Sequence, residues 1–95
     1  MNKYEAMYII HPNLEDEARS ALVERFSGLI VASGGNVEKI DDWGKRKLAY
    51  EIQDMTEGHY VLMHFEADSD LPRELERNFK INEPIIRYLI VRKDA

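Results

Sequence analysis

Trp43, Lys45, Arg46 and Lys47 stand within five residues of one another in a chain that is acidic overall. Three cations beside an indole suit contact with a phosphate backbone. Such contact depends on local potential, whatever the net charge of the whole protein. Leu48, Tyr50 and Ile52 follow in alternation, so the segment reads as one long strand with a basic patch at one end. The same lysines equally suit a solvated edge strand guarded against pairing with another chain.

Other chemistry is missing. The three histidines, His11, His59 and His64, show no helical ligand spacing. His59 and His64 lie an odd number of residues apart on one expected strand, so they point to opposite faces. There is no HExxH, Walker loop or GxGxxG. Carboxylates gather at helix starts and exposed faces, and no nucleophile has an evident base. We expect no catalytic residue, no metal site and no cofactor.

A length of 95 residues allows one domain, spanning 1–95. An apolar content of 44% allows a core without staples. The absence of Cys removes disulfides and thiolate chemistry and fits a reducing compartment. No apolar run approaches the roughly 20 residues that span a bilayer, and Met1 to Glu5 lack a signal pattern. A cytoplasmic protein is expected. The formal net charge of −5 argues against a nucleic-acid binder that works by overall charge. It leaves room for one concentrated patch, or for docking together with a basic partner.

The elements that would position these residues follow from periodicity. Tyr4, Ala6, Tyr8 and Ile10 alternate as the inner face of a strand that Pro12 ends. Asn13 is a candidate N-cap, with acidic residues after it. Leu14, Ala18, Leu22, Phe26, Leu29, Ile30 and Ser33 recur at helical spacing until Gly34-Gly35. A second strand starts at Val37, is bent or bulged at Asp41 to Gly44, and resumes through Ile52. Residues 54–58 read as a polar turn and 59–67 as a third strand paired with the second. Ser69 or Asp70 can cap a short helix with Pro72 in its first turn. Pro84 forbids its continuation, and 85–91 form the last strand. This βαββαβ order predicts an α+β, ferredoxin-like fold: a four-stranded antiparallel sheet with two helices on one face.

That fold leaves one sheet face bare. Met7 and Ile9 are expected there, with Tyr60, Leu62 and His64 from the third strand and Arg87, Leu89 and Val91 from the last. An apolar patch of this kind marks a binding surface. The aromatics are expected in the core or sheet. Only Tyr4 beside Lys3 and Trp43 beside Lys45 stand out as RNA contacts.

Taken together, these residues resemble a known family. Tyr4-Glu5, Pro12-Asn13-Leu14, Gly34 and the run Trp43-Gly44-Lys45-Arg46-Lys47-Leu48-Ala49-Tyr50-Glu51-Ile52 are similar to bacterial small-subunit ribosomal protein six. Gly58, Tyr60 and 85–91 match as well, and Gly44 to Tyr50 is the most specific part. The resemblance covers nearly the whole chain. It implies a structural, ribosome-bound constituent of the small subunit that pairs with small-subunit ribosomal protein eighteen. It further implies that the pair binds the central domain of the small-subunit rRNA. A small basic partner would cover the bare face and bring the charge this domain lacks. The sequence stops at Ala95, so any role of the long acidic tail of some members does not carry over.

For phosphate contact the candidates are Lys3, Lys45, Arg46, Lys47, Arg87, Arg92 and Lys93. Alternation puts Lys45 and Lys47 on one face and Arg46 on the other. For the protein partner they are Met7, Ile9, Leu62, Leu89 and Val91. No membrane or small-molecule substrate is expected. The same bare face also admits a homodimeric ferredoxin-like barrel around a small-molecule site, for which His64 is the one convenient polar group.

Overall fold

The computed structural model describes residues 1–93; the Ala95 end point used above lies outside them. The order is β1 (Asn2–Ile10), α1 (Asp16–Ala32), β2 (Asn36–Ile52), β3 (Met55–Ala67), α2 (Leu71–Ile81) and β4 (Ile85–Arg92). The strands form one sheet in the order β2-β3-β1-β4, antiparallel at each pairing. This is the expected ferredoxin-like fold.

Alternation decides which face is buried. Tyr4, Ala6, Tyr8 and Ile10 of β1 join Val61, Met63, Phe65 and Ala67 of β3 in one core. Leu22, Phe26 and Ile30 of α1 and Leu71, Leu75 and Phe79 of α2 close it from the same side. At its centre the Phe26 and Phe79 rings lie 4.6 Å apart, and Tyr8 is 5.2 Å and 5.0 Å from them. Edge-on and tilted ring pairs of this kind add about 0.5–1.5 kcal/mol each beyond burial. Tyr4 belongs here as well. It stacks on Phe65 at 5.5 Å and is buried, which removes it as an RNA contact.

Two boundaries differ from the sequence reading. Asn13 does not cap α1, because the chain first makes a turn. The Leu14 amide donates to the His11 carbonyl and the Asn13 amide donates to His11 Nδ1, leaving Glu15 in the capping position. Asp16 and Glu17 then supply the acidic first turn. Asp70 takes the capping position of α2, without a side-chain hydrogen bond.

The polar turn expected at 54–58 is instead the pair Gln53-Asp54, with φ of 52° and 64°. β3 begins at once at Met55, so Gly58 lies inside the strand. The expected bulge in β2 is present: pairing slips between Asp42 and Gly44, and Gly44 has φ 75°. The Asp42 carboxylate accepts the Gly44 amide at 2.9 Å and fixes the kink.

Candidate nucleic-acid and partner interface

The bare sheet face is built by the odd-numbered residues of β1 and the even-numbered residues of β3. Register brings Glu5 opposite His64, Met7 opposite Leu62 and Ile9 opposite Tyr60. On the other side Val91, Leu89 and Arg87 stand opposite Glu5, Met7 and Ile9. Leu89 is 58% exposed and Val91 46%, while Met7 and Leu62 are half-buried. Met7, Ile9, Leu89, Arg87 and Tyr88 line a shallow hollow of about 140 Å³.

Ile9 differs from the other partner candidates, for it is already 7% exposed. Pairing slips between Ile9 and Ile10, so that Arg87 pairs with Ile9 and Ile85 with Ile10. The residue left over, Ile86, turns to the bare face. There Gly58 has no side chain, and Ile9, Ile86 and Leu48 close over it. Sequence alternation alone missed Ile86 and Leu48.

The seven cationic candidates fall into two groups at opposite ends of the sheet. Lys3, Arg92 and Lys93 meet where β1 begins and β4 ends, and the Lys93 amide donates to the Lys3 carbonyl. Lys39 of β2 joins Lys3, Lys93 and His64 around a cleft there. Lys93 pairs with Glu5 at 2.7 Å, and that hydrogen bond is the chief reason the Glu5 carboxyl ionises below its ordinary range. Arg92 donates to the Asn2 side chain at 3.0 Å.

Lys45, Arg46, Lys47 and Arg87 form the second group. All four are exposed. Arg46 pairs opposite Gly58 on the bare face, whereas Lys45 and Lys47, opposite His59 and Glu57, point to the other face as alternation requires. The Arg87 guanidinium sits over the Tyr50 ring, 5.2 Å from its centroid. Lys3 and Ile9 are six residue steps apart along the strand, so the two groups stand about 20 Å apart. The apolar strip lies between them.

The histidines do not build a reactive site. His64 has Nδ1 3.5 Å from Glu5 and Nε2 3.4 Å from Asp41. Both ring nitrogens face carboxylates, so His64 is not an unengaged group aimed into a barrel cavity. His59 lies on the helix-side face with Nε2 2.5 Å from Asp42. Among the described residues no three metal-ligating groups converge, and no helix is long and apolar enough to cross a membrane.

Comparison with known proteins places this arrangement among the ribosomal proteins. The chain belongs to the family described as ribosomal protein S6, whose model matches residues 3–92. It is 52% identical over 94 residues to small ribosomal subunit protein bS6 of Caldanaerobacter subterraneus subsp. tengcongensis, covering 99% of each chain. It is 49% identical over 94 residues to the bS6 of Clostridium botulinum strain Loch Maree, covering 99% of this chain and all of that one. The crystal structure of 30S ribosomal protein S6 from Thermotoga maritima superposes with a TM-score of 0.92 at 38% identity, covering 97% of this chain and 87% of the other. Membership makes this a protein of the small ribosomal subunit, in the cytoplasm with the ribosome, and a structural component rather than an enzyme. The dimeric small-molecule barrel gives way to that assignment.

Proposed function

We propose that this chain binds the central domain of the small-subunit rRNA jointly with small-subunit ribosomal protein eighteen. The observation that carries the reading is the apolar strip of Met7, Leu62, Leu89 and Val91 lying between two cationic ends on one uncovered sheet. A protein seated on the strip leaves the cations at its margins, where they meet phosphates. Arg46 and Arg87 serve one end, with Lys45 and Lys47 reached around the β2 edge; Lys3, Arg92 and Lys93 serve the other. With a net charge of −5, the chain alone binds RNA weakly and depends on a basic partner for most of its attraction.

The test is binding of a central-domain rRNA fragment with and without the partner protein. Tight binding only with both present supports the reading. Lys45→Gln with Lys47→Gln should lower affinity and flatten the dependence of log K on log salt by roughly 1–2. An unchanged salt slope would remove these lysines from the interface. No binding by either preparation would remove the reading itself.

A further inference from the structure

Trp43, the chain's single tryptophan, is 42% exposed on the surface of a well-formed sheet. Its indole lies nearly parallel to the Tyr60 ring, at 6.2 Å and 14°. The backbone beneath it is pinned on both sides. Asp42 accepts the Gly44 amide, and Arg46 Nε donates to the Trp43 carbonyl at 3.0 Å. The bulge between Asp42 and Gly44 supplies the kink that presents the ring.

An exposed indole held in one orientation is a prepared flat surface rather than a stray apolar side chain. Arg46 shares its face of the sheet, while Lys45 and Lys47 point to the other face of this edge strand. The partner strip reaches towards it only at Leu62, two residues along β3 from Tyr60 and on the same face. Leu89 and Val91 are on β4, whereas Trp43 is on β2, at the opposite edge of the sheet. Three inter-strand spacings, about 14 Å, separate the two edges.

We propose that Trp43 is a base-stacking residue: an unpaired RNA nucleotide lays its base on the exposed indole face while its phosphates meet Arg46 on that face and, around the β2 edge, Lys45 and Lys47. The proposal rests on the RNA-binding reading above and adds a contact of a different physical kind. Stacking on an aromatic is sequence-tolerant and exchanges no counterions, so it raises affinity without steepening the salt dependence. Lysine contacts do both. The two kinds of residue are therefore separable in one set of titrations. Tyr60, behind the indole, acts as a positioning residue.

The experiment uses the full chain, its partner protein and the central-domain rRNA fragment. Affinities are measured across a salt series for wild type, Trp43→Leu and Trp43→Phe. The wild-type chain is also labelled with 5-fluorotryptophan, which reports one site because there is one tryptophan. Trp43→Leu should lose about tenfold in affinity with an unchanged salt slope, and Trp43→Phe should recover most of it. The fluorine resonance should shift when RNA is added, and not when the partner alone is added. A Leu variant binding within about twofold of wild type, while wild type binds normally, would overturn the stacking proposal alone. A resonance that shifts with the partner alone would overturn it too, by placing the indole under protein. Failure of the wild-type pair to bind RNA would overturn this proposal and the reading beneath it together.

Discussion

Two residues show how much depends on single side chains. The Tyr8 hydroxyl is fully buried and has no hydrogen-bond partner among the described residues. Burial pushes its ionisation far above the ordinary value of 10, and the Asp42 carboxylate pushes it the same way. The folded chain thus keeps Tyr8 protonated where an unfolded chain would release the proton. Stability from this source is complete below pH of about 10 and is lost as pH rises beyond it. Tyr8→Phe should remove up to about 1.4 kcal/mol per pH unit from the alkaline slope. At neutral pH it should leave stability unchanged or raise it by up to about 1 kcal/mol, since an unpaired polar group leaves the core. Denaturant titrations between neutral and strongly alkaline pH check both. Gly58 presents the opposite case. A Cβ there would overlap the Cγ2 of Ile9, a branched side chain with little freedom to turn away. Gly58→Ala should cost about 1–3 kcal/mol and loosen the cover formed by Ile9, Leu48 and Ile86. Unchanged thermal unfolding would show that Ile9 yields.

Among the elements, the β2–β3 hairpin has the weakest turn chemistry. Gln53 and Asp54 both adopt left-handed backbone, a conformation that costs most L residues about 1–2 kcal/mol. The combined change Gln53→Asn with Asp54→Gly supplies the residues such two-residue turns favour. It should raise stability by about 1 kcal/mol, read as a higher unfolding midpoint in urea. A midpoint at or below wild type would mean that the turn is not a stability limit. This hairpin also shows where sequence reasoning reaches and where it stops. The faces of β1 and β3 are legible because Tyr4, Ala6, Tyr8, Ile10 and Val61, Met63, Phe65 alternate without interruption. The bulge at Asp42–Gly44 is legible because a strand glycine needs a reason. The turn is not legible, for Gln-Asp lacks the usual turn glycine while Gly58 imitates one. Ile86 is hidden for a related reason: a slip in pairing reverses its face, and pairing is a tertiary fact. Trp43 and the cations are visible as residue types, but their separation into two ends depends on strand order.

At the scale of the whole molecule, the charge distribution matters more than its sum. The two cationic ends stand about 20 Å apart along the strands, beyond the screening length of about 8 Å at physiological salt. Removing charge at each end should therefore act independently. Lys3→Gln and the pair Lys45→Gln with Lys47→Gln should reduce the salt slope of RNA binding by amounts that add in the combined variant. Strong non-additivity would mean that one RNA segment touches both ends at once, or that one end rearranges when the other is altered. The family assignment gives the setting, the small ribosomal subunit.

The placing of β4 beside β1 has a consequence for how the chain is made. Register joins Tyr4 to Arg92, and Arg92 reaches the Asn2 side chain across 90 positions of sequence. A nascent chain emerges from its N-terminus, so β1 waits with one edge unpaired until Ile85 to Arg92 have been made. Only when Ile85 to Arg92 have cleared the exit tunnel can the sheet close. A polypeptide stalled short of that point exposes a strand edge and part of an aromatic core, and is a substrate for chaperones and proteases. The topology thus makes closure of the sheet wait for the arrival of β4.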